Sequence, residues 1–255
     1  MSPLVIKVGG AFIDAPEGQR AFFENIKKIQ AQRPVIIVHG GGAGVQKILE
    51  ALGFTSTKKA GLRVTPAEHM PYVAATLAGE YATKMLSFAL AQNLPAVSLT
   101  LADGGMTVCQ QHPADVGCVG IPAPKSPALL KHLLAQNFVP IINSIGIDHN
   151  AQLMNVNADQ AATIIATLVS GELLLLSDVP GVLDGDKQKL PTLSHADYQR
   201  LVDEQVITDG MLVKVAAAIE SAQTLRRPVI IGDWSKTHLL HAASLTDFGT
   251  HILPE

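Results

Sequence analysis

Two lysines and a run of glycines are the residues of this 255-residue chain best suited to chemistry on an anion. Lys7 lies in VIKVGG and Lys214 in MLVKVAA. In such apolar surroundings a charge is costly unless it is paired or used. In HGGGAG, the glycines Gly40, Gly41, Gly42 and Gly44 follow the apolar run Val35–Val38 and His39. Glycine loses more backbone entropy on folding than any other residue, so this cluster needs a reason. A glycine-rich turn from a strand into a helix leaves backbone N–H groups unshielded beside the positive end of the helix dipole. Such a turn holds phosphate or carboxylate. Glycine also permits tight strand–helix packing, but three in a row plus a fourth favour the anion site.

Other anion-binding and catalytic patterns fit less well. No Gly-Lys dipeptide occurs, so a Walker A loop is absent. A GxGxxG motif fails at Val45 counted from Gly40 and at Lys47 counted from Gly42. HGGG matches the oxyanion-hole motif of lipase-like hydrolases, but no serine sits in a GxSxG elbow; Ser144 comes nearest, with Ile142 where the first glycine should be. No Asp/Glu pair announces a metal site. His238 and His241 have helical spacing but no third ligand, and read as surface residues.

Positioning these groups requires strands and helices in alternation. Short apolar, β-branched runs recur at Leu4–Val8, Val35–Val38, Ala96–Leu99, Val139–Ile142, Leu173–Leu176 and Val229–Ile231. Between them, helical spacing covers 19–30, 43–52, 66–92, 127–136, 158–169, 212–225 and 235–245. Alternating βα units predict an α/β fold with a mostly parallel central sheet sandwiched by helices. The uninterrupted apolar runs suit strands buried on both faces. Residues 54–65 and 107–121 read as added hairpins. In an open α/β sheet ligands bind beyond the carboxyl ends of the strands. Gly9-Gly10, HGGGAG, the NSIG after residue 142 and the SDVPG at 177–181 all fall there.

Bulk properties narrow the partners. A net charge of −3 and a pI near 6.3 give no nucleic-acid surface. No apolar run reaches membrane-spanning length, and MSPLVIKVGG lacks the pattern of a signal peptide. Cys109 and Cys118 form no CxxC pair, which suits a reducing, cytoplasmic setting. The expectation is one domain over 1–255.

IKVGG, VHGGG, GLRVT at 61–65, LMNVNADQAA at 153–162, LLLLSDVPG at 173–181 and ITDGMLVKV at 207–215 occur in this order. Together, and nearly end to end, they closely resemble the amino-acid kinase family, in its branch that phosphorylates the side-chain carboxylate of N-acetyl-L-glutamate. The resemblance implies an N-terminal lobe (about 1–170) for substrate and dimerisation, a C-terminal lobe (about 171–255) for ATP, and a homodimer. It assigns Lys7 and Lys214 to the transferring phosphoryl group and Asp159 to the space between them. Asp159 also suits a plain first-turn acid behind an Asn157 N-cap. The resemblance gives Arg63 to the α-carboxylate, which its fork matches bidentately, Gly41 and Gly42 to N–H contacts, and Asn155 to the substrate. Gly9 and Gly10 go to the phosphate site. Asp178, Val179, Pro180, Gly181, Val182 and Leu183, with Val206, Ile207 and Thr208, go to the nucleotide, although Pro-Gly alone would signal only a turn. Lys58 and Lys59 read as solvating their hairpin.

The implied cofactor is ATP with Mg²⁺ carried on its phosphates. Kinases for N-acetylaminoadipate, carbamate, aspartate or UMP are rivals on the same fold, as is a silent nucleotide- or anion-binding protein. Arginine-inhibited relatives carry an extra N-terminal helix joining dimers into hexamers. With the first strand at about Leu4, the expectation is a dimer insensitive to arginine.

Overall fold

Leu4–Val8 and Val35–His39 lie parallel and adjacent in the middle of an eight-stranded sheet. The computed structural model describes residues 1–59, 61–240 and 244–255. In spatial order the sheet runs Thr192–Leu193, Thr250–Ile252, Val229–Asp233, Glu172–Ser177, Leu4–Val8, Val35–His39, Val139–Asn143, Ala96–Leu99. Every neighbouring pair is parallel except Val229–Asp233 with Thr250–Ile252. All six expected strands are present, four of them extended by one to three residues.

Side chains alternate across a strand, so each central strand serves two cores. Leu4, Ile6 and Val8 join one core, with Phe22, Phe23 and Ile26 of the helix Pro16–Gln30 and Met85 of Ala82–Ala91. Val5, Ile36, Val38, Leu173 and Leu175 join the other, with the helices Ala158–Val169 and Asp209–Leu225. Removing this apolar surface from water is the main driving force for the layered arrangement. It also decides where Lys7 points. Lys7 has the parity of Val5, so it emerges on the face covered by the latter two helices.

The expected helix over 66–92 is continuous but not uniform. Met70–Ala74 leads into a π-helical stretch, Ala75–Tyr81, and then Ala82–Ala91. The hairpin at 54–65 holds the two short strands Lys58–Lys59 and Leu62–Arg63. The hairpin at 107–121 is half of a second, four-stranded sheet in the order Thr107–Gln111, Val119–Pro124, Leu153–Val156, Ile145–Ile147. The last two strands have only three or four residues, too short for a pattern to stand out in sequence.

The expected helix over 235–245 is corrected. Trp234–Leu239 is a 3₁₀ turn, started by Asp233 Oδ1 accepting from the Ser235 N–H at 2.7 Å, and Leu240 is extended. His238 belongs to that turn, while His241 lies outside the described residues. Sequence reading also missed the helix His195–Asp203, whose Ser194-x-x-Asp197 capping box closes in both directions. That motif was a usable signal.

Candidate active site

Lys7 Nζ lies 2.9 Å from Asp159 Oδ1. Strand parity brings Lys7 to the helix-covered face at the carboxyl end of its strand. Asp159 arrives there in the first turn of Ala158–Val169, capped by Asn157 Oδ1, which accepts from the N–H groups of Asp159 and Gln160 at 2.8 and 3.3 Å. The bland cap and the functional placement are therefore the same geometry.

Lys214 approaches from the other side, on the helix Asp209–Leu225. Its Nζ is 3.9 Å from Asp178 Oδ1. Burial pulls the Lys214 ammonium below the ordinary lysine value; Lys7 adds to the shift, while Asp178 and Asp159 oppose it. Asp159 thus acts electrostatically on both lysines. The two helices are pinned to each other one to two turns further in, where Thr163 Oγ1 and Ser221 Oγ lie 2.7 Å apart in a buried hydrogen bond.

Two recesses meet at the Lys7–Asp159 pair, which lines both. The larger, of about 300 Å³, has Gly9, Gly10, Gly40, Gly41, Gly42, Arg63 and Asn155 in its wall. The smaller, of about 180 Å³, adds Leu175, Leu176, Ser177, Gly210, Val213 and Lys214. Lysines across such a junction can stabilise negative charge passing from one recess to the other.

At the larger recess Arg63 is already fixed. Its Nη2 donates to the Gly42 carbonyl at 2.6 Å, and its Nη1 to Gln46 Oε1 at 2.6 Å and to Ser56 Oγ. Among the described residues, two of its five N–H donors are left for a ligand. Burial lowers its pKa, with Glu50 opposing. Thr65 links the motif GLRVT to LMNVN: its hydroxyl donates to the Arg63 carbonyl and accepts from Asn155 Nδ2, both at 3.0 Å. Asn155 therefore presents its remaining amide capacity in the wall from a braced position. Gln46, Ser56 and Thr65 were missed in sequence, because polar residues without spacing carry no signal. Lys58, read as merely solvating the hairpin, also lines this recess, because the two-residue strands fold back over it. Lys59 does not line it.

The glycine cluster divides into two kinds. A Cβ at Gly41 would stand 2.5 Å from the Tyr81 ring, and one at Gly44 1.8 Å from the Tyr81 hydroxyl. Those two glycines admit the π-helical stretch. Gly40 and Gly42 keep the wall bare, and at Gly42 a Cβ would meet nothing closer than Arg63 Nη2 at 3.8 Å. Packing thus accounts for half of the cluster, so the anion reading alone was too simple.

The nucleotide candidates divide as well. Asp178 reaches Lys214, but Val179, Pro180, Gly181, Val182, Leu183, Val206, Ile207 and Thr208 line neither recess. Val182 and Ile207 are core residues. The Val182 N–H donates to Thr250 Oγ1 at 2.9 Å, and Gly181, at φ +151°, has that same hydroxyl where a Cβ would stand. This turn is locked onto Thr250 by packing.

The model of the amino acid kinase family matches residues 2–233. The chain belongs to that family. It is 48% identical over 233 residues to acetylglutamate kinase of Aeromonas salmonicida (strain A449), covering 91% of this chain and 90% of the relative. It is 44% identical over 257 residues to acetylglutamate kinase of Pasteurella multocida (strain Pm70), covering all of both. In fold it resembles the carbamate kinase of Giardia, with a TM-score of 0.71, 20% identity and coverage of 100% and 99%. For an amino acid kinase, Lys7, Asp159 and Lys214 at the carboxyl edge of the sheet stand where ligands of open α/β sheets bind.

His39, beside the glycine turn, is wholly buried, and burial depresses its pKa to about 4, against a weaker opposing hydrogen bond to Gly40. Its Nδ1 is 2.9 Å from the Gly40 carbonyl, which can only accept, so Nδ1 carries the proton. Nε2 is then a buried acceptor without a partner. The unfolded chain takes up this proton near pH 6.5 and the folded chain only near 4. Stability is therefore complete above 6.5 and falls between those values, by about 3 kcal/mol in all. Denaturant titrations from pH 8 to 4 should show this slope in the wild type and a flatter profile in His39→Asn. An equal slope in the variant would assign it to other groups.

Proposed function

We propose that this chain transfers the γ-phosphoryl group of ATP to the side-chain carboxylate of N-acetyl-L-glutamate, giving ADP and N-acetyl-L-glutamyl 5-phosphate in arginine biosynthesis. The observation that carries this reading is the Lys7–Asp159 pair on the wall shared by two recesses, with Lys214 opposite. The names and coverage of the relatives support the substrate.

A carboxylate needs no general base, since its pKa of about 4 leaves it ionised at neutral pH. The obstacle is repulsion between an anionic nucleophile and an anionic phosphoryl group. Positioning and cations must overcome it. N-acetyl-L-glutamate occupies the larger recess in this reading. Its α-carboxylate meets the two spare donors of Arg63, and Asn155 takes a polar group of the same substrate. A side-chain carboxylate oxygen then attacks phosphorus, and the bond from phosphorus to the β-phosphate oxygen breaks, releasing ADP. Lys7 and Lys214 hold the charge on the transferring oxygens, and the N–H groups of Gly10 and Gly42 extend that cradle. Asp159 keeps Lys7 in place and balances both cations.

ATP belongs to the C-terminal lobe, about 171–255, near Asp178 and Lys214. The N-terminal lobe, about 1–170, holds the acyl-amino acid and pairs the homodimer. Among the described residues, no three His, Cys, Asp or Glu side chains gather as a metal site. Asp159 and Asp178, each beside a lysine, fit better as partners of a nucleotide-borne metal's surroundings than as its cage. Mg²⁺ bound to the ATP phosphates neutralises part of their charge. No helix among the described residues is long and apolar enough to cross a membrane; a cytoplasmic setting goes with this reading.

ADP release with a panel of N-acetyl-L-glutamate, N-acetyl-L-aminoadipate, carbamate, aspartate and UMP tests it, with hydroxylamine trapping the acyl phosphate as a hydroxamate. Turnover and hydroxamate with N-acetyl-L-glutamate are expected. No ADP with any acceptor, or a stronger rate with another, would replace the reading.

A further inference from the structure

Ser177 ends the strand Glu172–Ser177 at the carboxyl edge of the sheet, next to the strand that carries Lys7. Its parity is that of Leu173 and Leu175, which pack into the core beneath the helices Ala158–Val169 and Asp209–Leu225. Lys7 emerges on the same face, opposite Leu175 in the register, so Ser177 stands one pleat beyond the Lys7 level, toward the rim. It lines the smaller recess together with Lys7, Asp159, Gly210 and Lys214. It does not line the larger recess with Arg63 and Asn155.

The Ser177 hydroxyl is buried and has no hydrogen-bond partner. Leaving a buried hydroxyl unpaired costs free energy that an alanine would not. Buried polar groups are nearly always satisfied, and an exception in a native structure asks for a cause. Around this one stand two ammonium groups, which cannot accept a hydrogen bond, and the carboxylates of Asp159 and Asp178, each held by a lysine. A donor among cations, without an acceptor of its own, suits an oxyanion brought in from outside.

We infer that the Ser177 hydroxyl donates to an oxygen of the nucleotide's β-phosphate in the smaller recess. This rests on the kinase reading above. The β-phosphate is chosen because the Lys7–Asp159 pair marks the boundary that the transferring group crosses, and Ser177 lies on the side away from Arg63. A serine side chain turns about one bond, so the hydroxyl can swing from its unpaired position onto the phosphate without moving the strand.

The test is titration calorimetry of full-length wild type and Ser177→Ala with ADP and with AMP, beside melting curves and steady-state kinetics. Loss of a hydrogen bond to a charged group predicts roughly ten- to hundredfold weaker ADP binding. AMP binding and KM for N-acetyl-L-glutamate should stay within about twofold of wild type, given the distance of Ser177 from the groups they use. Because the hydroxyl is unpaired without ligand, the melting temperature of the free variant should equal or exceed that of wild type. Unchanged ADP binding, an equal loss of ADP and AMP, a lowered melting temperature, or a wild type that binds no ADP would each overturn the assignment. If wild type binds ADP through Ser177 yet phosphorylates no carboxylate, the reaction reading fails while this contact stands.

Discussion

Replacing Lys7 or Lys214 by alanine lowers kcat by about 10²–10³, with KM for N-acetyl-L-glutamate changed far less. Each ammonium meets charge that develops mainly as the phosphoryl group leaves ADP, and loss of one such preorganised donor costs about 2.7–4 kcal/mol of transition-state stabilisation. The two variants should differ in their secondary effects. Lys7→Ala leaves Asp159 without its 2.9 Å partner, an unpaired carboxylate facing incoming phosphates. Its KM for ATP should therefore rise as well. Lys214→Ala removes a cation whose ammonium is already disfavoured by burial, and whose nearest carboxylate, Asp178, is largely exposed. Asp178 can then be hydrated, so little beyond the catalytic loss is expected. Steady-state kinetics of both variants, with each substrate varied in turn, check this. A normal kcat with a raised KM for either variant would remove that lysine from the chemistry.

Arg63→Ala raises KM for N-acetyl-L-glutamate by about 10²-fold, while KM for ATP stays near wild type. Charge-assisted hydrogen bonds contribute about 1.5–3 kcal/mol each, and the α-carboxylate that they hold takes no part in the reaction. Arg63 has a second duty. It holds the Gly42 carbonyl, Gln46 and Ser56, so its loss also loosens the first turn of the helix Gly42–Ala51. A moderate fall in kcat should accompany the binding defect. Arg63→Lys should rescue little, because an ammonium cannot reproduce the fork that serves three protein groups and still present two donors. Kinetics of both variants, with binding measured separately by calorimetry, separate the two duties. An unchanged KM for N-acetyl-L-glutamate in Arg63→Ala would move the α-carboxylate elsewhere.

Much of the frame was legible in the sequence because its signals are local. The runs at 4–8, 96–99 and 139–142 are β-branched and apolar, and they are strands because burial on both faces demands it. The helix Ala158–Val169 announces its start with Asn157 and Asp159. The last expected helix fails because an Asx-type cap at Asp233 diverts the chain into a 3₁₀ turn, a competition that apolar spacing cannot reveal.

The sequence by itself determined which groups were available: Lys7, Asp159, Lys214, Arg63, Asn155 and four glycines at one turn. Their residue types, their neighbours and their order along the chain sufficed for that. Only the tertiary structure decided how they are shared out. Strand parity sends Lys7 to the face of the helices whose first turns bring Asp159 and Lys214. Tyr81, about forty residues beyond the glycine turn, claims Gly41 and Gly44 for packing and leaves Gly40 and Gly42 on the recess. Thr65 joins Arg63 to Asn155 across 90 residues, and Thr250 locks Gly181 and Val182 across 68. No periodicity carries such information, because these contacts depend on which elements the two cores press together.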